Sequence, residues 1–163
     1  MAIAKDLNTR KYRSYVENGV DKTAQMVVNS EFLGNKLESS VTFATTTTGT
    51  VASHALLTVT GTVALSIFGV CGTNLVGAST IEVGTATTTA GLIAQTTGTD
   101  IDANEIWHDA SPDASVELTS IVTKKVVSAS VIYKIAAAAI SAGEITFYVF
   151  WEPISNDGNV VAA

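Results

Sequence analysis

Between Lys36 and Lys124 the chain contains no lysine and no arginine. The surface of that stretch must be made soluble by something other than cations. Threonine and serine crowd residues 42–99, and threonine's branched side chain suits a pleated strand. The gap therefore favours strands whose hydroxyls face solvent, or a surface packed against neighbouring molecules.

The cations that do occur are placed unevenly. Residues 1–40 hold six cations against five acids, net +1, and residues 41–163 hold three against ten, net −7. Of 163 residues, 47% are apolar and 15% charged, where roughly 25% charged is usual. That much apolar content excludes wholesale disorder. The net charge of −6 argues against a nucleic-acid binder, which would show a basic footprint. A single cysteine, Cys71, excludes an internal disulfide framework and a cysteine-based zinc site, and suits a buried small hydrophobe. Met1-Ala-Ile-Ala-Lys lacks the apolar core of a signal peptide, so synthesis in a cytoplasm is expected. The most apolar stretch, 126–140, contains Lys134 and is shorter than a membrane span of roughly 18 residues.

The periodicity is that of strands. In the first forty residues Tyr12–Val16 and Ala24–Val28 alternate, with an Asn18-Gly19 turn signal between them. The simplest reading is an extended N-terminal arm, followed by a Thr-rich linker ending at residue 50. Strands are expected at 56–60, 62–71, 80–83, 91–96, 116–123 and 126–135, with Gly69 and Gly72 ending or bulging the second. Residues 136–141 read as a strand extension or tight loop. The clearest strand is Glu144–Glu152. Ile145, Phe147, Val149 and Trp151 share one side, Thr146, Tyr148 and Phe150 the other. Apolar residues on both sides suggest a central strand or one covered by a partner. The expected architecture is all-β, an antiparallel β-sandwich or barrel, jelly-roll-like, over residues 51–155, with residues 156–163 as a tail.

Few residues invite chemistry. Asp100, Asp102 and Asn104 alternate like the first half of a calcium loop, but Glu105 and Ser111 stand where glycine and glutamate belong. A different metal site on Asp100, Asp102 and Asp109 is the weaker alternative to a solvated loop whose acids cap turns. His108 beside Asp109 has no nucleophile motif to serve, no phosphate loop occurs, and no enzyme activity, cofactor or small-molecule substrate is expected. Arg10, Lys11, Tyr12, Arg13 and Tyr15 combine cations with rings and suit docking on an acidic protein surface. Trp107, following the acidic run, is a candidate interface anchor.

Three stretches carry a resemblance. These are Ala4–Val16, the middle segments Gly61–Thr73, Thr80–Thr85 and Gly91–Asp109, and the closing Ile145–Pro153. Together they resemble small virion structural proteins of tailed bacteriophages. The resemblance implies a capsid decoration (cement) protein on the outside of the phage head, assembled in the host cytoplasm. It implies the major capsid protein and copies of the chain itself, as a homotrimer, as partners, and neither nucleic acid nor membrane. A tail, connector or fibre component, or a carbohydrate-binding β-sandwich with Trp107 and the 100–109 loop as its platform, are the alternatives.

Overall fold

The structure is a computed structural model. It describes residues 35–114 and 122–163 in full, and the backbone of two strands at 10–17 and 20–27. The chain divides into two compact units, residues 1–35 and residues 36–163. In the first, β1 (Arg10–Glu17) pairs antiparallel with β2 (Val20–Val27), from Arg10↔Val27 to Glu17↔Val20. The segment expected as an extended arm thus contains a hairpin; the Asn18-Gly19 turn signal lies outside the described residues.

The second unit is all-β and built of two antiparallel sheets, as the alternation predicts. The first sheet runs β12 (Asn159–Ala162), β4 (Ser53–Thr60), β10 (Val131–Ala136), β6 (Thr80–Thr85), β7 (Ile93–Thr97). The second runs β3 (Asn35–Thr42), β11 (Ala142–Pro153), β5 (Val63–Val76), β8 (Ile106–Trp107), and β9 (Lys125–Val127) also pairs with β5. The two sheets are separate, so the arrangement is a sandwich and not a closed barrel.

Their inner faces supply one core. Leu57, Ile81, Val83, Val131, Tyr133 and Ile135 come from the first sheet, and Leu65, Ile67, Ile145, Phe147 and Val149 from the second. Each large aliphatic or aromatic side chain fully buried there is worth about 1.5–3 kcal/mol. The long β5–β11 ladder, from Val63↔Pro153 to Val76↔Ala142, holds the second sheet together. Strand β11 is therefore central, as its double apolar character suggested. Gly72 does bulge the ladder: Thr73 pairs with Glu144 and Cys71 with Ile145, leaving Gly72 over. Gly69 does not end the strand. A Cβ there would meet Ile145 Cγ2 at 2.7 Å, so glycine makes room for a core side chain in mid-strand.

Several boundaries move. Residues 36–50, expected in the arm and linker, belong to the body. β3 is an edge strand of the second sheet, Phe43 is buried, and the Phe43 N–H donates to Gly143 O at 2.9 Å. The Thr-rich run is folded by its own hydroxyls: Thr48 Oγ1 donates to Thr42 O at 2.6 Å and accepts the Ala44 N–H at 3.1 Å. Residues 156–163 are not a tail, because β12 pairs with β4 and buries Val160. The expected strand 126–135 is two strands in different sheets, β9 and β10. Ser128-Ala-Ser130 carries the chain across, where the apolar alternation lapses. Residues 137–141 form the tight loop, with Ala137 at φ 65°. Most of the strand expected at 116–123 lies outside the described residues.

Candidate interaction surface

The acidic loop after β7 is stitched to the sheet by its backbone. The Asn104 N–H donates to Cys71 O at 2.8 Å, and the Cys71 N–H donates to Glu105 O at 2.9 Å. Glu105 Oε2 accepts the Asp102 N–H at 2.8 Å, and Asn74 Oδ1 accepts that of Ala103 at 2.7 Å. Asp109 Oδ1 accepts the Ser111 N–H at 2.7 Å, while Oδ2 lies 3.2 Å from His108 Nε2. Ile101 is fully buried between Asp100 and Asp102. Among the described residues no three of His, Cys, Asp and Glu gather as a metal site. Asp100, Asp102 and Asp109 are not brought together, and Asp102 and Asp109 belong to a loop closed by turn hydrogen bonds.

Trp107 is not an interface anchor, because it is 0% exposed. Its indole N–H donates to Thr96 Oγ1 at 2.8 Å, and its ring packs against Phe147 at 6.2 Å between centroids. Thr96 Oγ1 also lies 3.1 Å from both Ala94 O and Asp109 O. This network ties β7 of one sheet to the β8 end of the other. The same burial removes Trp107 as a carbohydrate platform. The two-residue strand brings it opposite Gly69, a pairing 38 residues away that no local pattern shows.

Beside it lies a cleft of about 200 Å³ lined by Leu65, Ile67, Leu92, His108 and Lys125 among others. The Lys125 ammonium donates to Gly91 O at 2.7 Å and Leu92 O at 3.2 Å, so it clasps one sheet to the other. His54, the other histidine, stacks on Tyr133 at 4.8 Å, with Nε2 3.0 Å from Thr50 O. It works as a structural ring on β4. Burial pushes the Cys71 thiol up to about 11 and the Tyr133 hydroxyl up to about 12. Both are neutral interior groups. Cys71 sits 3.2 Å from Thr73 O, and the Tyr133 hydroxyl donates to Thr48 O at 2.9 Å.

The unusual surface is the outer face of the second sheet. There Phe68 pairs directly across the ladder with Tyr148, and Phe150 pairs with Ser66. Phe68 stacks on Tyr148 at 5.4 Å and 21°, and on Phe150 at 6.3 Å and 22°. The Lys36 ammonium stands 5.0 Å from the Tyr148 centroid. Lys36 also pairs with Glu38 at 2.5 Å, and that hydrogen bond raises its pKa. Ser40 Oγ and Thr146 Oγ1 are 2.9 Å apart. Phe150 is 38% exposed, and Val126, opposite Ala64 on the same sheet, is 70% exposed. A contiguous aromatic patch on a charge-poor sheet face is characteristic of an interaction surface. The second apolar side of β11 was readable from alternation. Phe68 was not, because it shares its parity with Ala64 and Ser66.

Arg10, Lys11, Tyr12, Arg13 and Tyr15 all fall on β1, opposite Val27, Met26, Gln25, Ala24 and Lys22 of β2. Comparison with protein-family models, with curated proteins and with solved structures gives no match for this chain.

Proposed function

We propose that this chain is a non-enzymatic structural protein of a tailed-phage virion, a decoration (cement) protein that binds the head surface. The observation that carries the proposal is the Phe68–Tyr148–Phe150 patch on the outside of an otherwise well-formed sandwich. A β-sandwich body with an aromatic outer face and a second unit whose paired strands carry cations suits adhesion to protein surfaces. In this reading the body covers capsid proteins and copies of itself, and the hairpin with Arg10, Lys11 and Arg13 engages an acidic neighbour. Backbone pairing by a hairpin edge gives affinity without special chemistry.

The test is particle occupancy. A chain lacking residues 1–34 keeps the whole sandwich, β3 included, and is expected to fold yet to be lost from purified heads. Full occupancy by that truncated chain overturns the role of the hairpin. Quantitative mass spectrometry of virions tests the location. A copy number that follows the capsid lattice supports decoration, and the few copies of a tail, connector or fibre part overturn it.

A further inference from the structure

We infer that the outer face of the second sheet is where a second copy of this chain docks, face to face about a two-fold axis. The inference names a partner for the surface on which the virion reading rests.

The argument begins with charge. Residues 36–163 carry net −7, so two bodies repel one another over most approaches. Five of their acids fall within fourteen residues of sequence, at Asp100, Asp102, Glu105, Asp109 and Asp113. Around the rings the charges instead cancel in pairs. Lys36 holds Glu38 at 2.5 Å on β3, and Lys124, just before β9, holds Glu152 at 2.6 Å. Glu144, at the bulged end of β11, is the one remaining described charge on that strand. This face is thus a route by which two like-charged bodies can meet without bringing acid against acid.

The second part is self-complementarity. A two-fold contact uses the same patch on both partners, so the patch must suit itself. Phe68, Tyr148, Phe150 and Val126 offer apolar surface to apolar surface. One ion pair, Lys36–Glu38, lies on the edge strand β3, and the other joins Lys124, beside β9 on the opposite side of the sheet, to Glu152 on the inner strand β11. A two-fold axis lying along the strands sets each edge against the other edge of the second copy, with cations and acids on both sides.

The test is sedimentation equilibrium of the full chain at micromolar concentration, with melting curves as a folding control. The native chain is expected at twice the chain mass. Phe150→Asp, at an exposed position, is expected to weaken association at least about 30-fold. Lys36→Glu combined with Lys124→Glu keeps every ring but leaves only acids around them. It is expected to dissociate the pair at low salt and to recover partly at high salt. A native monomer, a native trimer, or a dimer indifferent to both variants overturns the inference. None of these results touches the virion reading, which fails instead if the chain is missing from purified particles.

Discussion

The two outer faces of the sandwich are made of the same kind of strands and present different chemistry. On the first sheet Glu82 of β6 lies between Lys134 of β10 and Gln95 of β7. Lys134 Nζ is 3.3 Å from Glu82 Oε1, and Gln95 Nε2 donates to Glu82 Oε2 at 3.2 Å. The Glu82 side chain is only 7% exposed, so this polar ladder is covered by its own neighbours and needs no partner. On the second sheet the equivalent position is taken by Phe68, Tyr148 and Phe150, with Lys36 and Glu38 on the edge strand β3 and Glu144 and Glu152 toward the two ends of β11. A solvated outer face alternates polar residues with the core. Around Glu82 the first sheet follows that rule, and the second departs from it along β5 and β11, which is why the second carries the functional proposal.

Substitutions can break this contrast. The largest expected effect is on association: Phe68→Asp should weaken it at least about 30-fold, while Ala55→Asp, on an exposed position of β4, should leave the sedimenting mass unchanged. Equal effects would erase the distinction between the faces. Next is Lys134→Met, which removes the cation from the covered Glu82 carboxylate and leaves it the Gln95 amide. It should lower unfolding stability by about 1–3 kcal/mol in urea titrations, with no change in mass. Between the faces, Trp107→Phe removes the bond to Thr96 that links β7 to β8. A loss of about 1 kcal/mol is expected by the same titration.

At pH 9 the smallest effect is alkaline. Cys71 keeps its proton in the folded chain up to about 11, against an ordinary value of 9.0. The folded state therefore holds a proton that the unfolded chain releases, and stability is intact below pH 9 and falls between pH 9 and 11. The decrease is about 0.4 kcal/mol at pH 9. Urea titrations of the native chain and of Cys71→Ala at pH 7, 9 and 10 should show that early slope only in the native chain.

Much of the fold was legible in local pattern. The alternation of Ile145, Phe147, Val149 and Trp151 marks β11 and its core side, because period two is a property of the strand itself. Gly72 marks a bulge for the same local reason. The missed boundaries share a cause. β3, β12 and the break between β9 and β10 depend on which strand is adjacent, and adjacency is settled by pairing across long separations. Trp107 followed a polar run and so suggested an exposed ring, yet pairing sets it opposite Gly69 of another strand and against Phe147, where it is buried.

Sequence by itself determined that this chain forms strands, and that its cation-poor body must hide surface or clothe it in hydroxyls. The tertiary structure alone decided which rings meet. Phe68 and Tyr148 are eighty residues apart and become neighbours only through the β5–β11 register. Shifting that register by one residue would turn every side chain of a strand to the opposite face. Local alternation records the two faces of each strand, and only the pairing says which residues on those faces stand side by side.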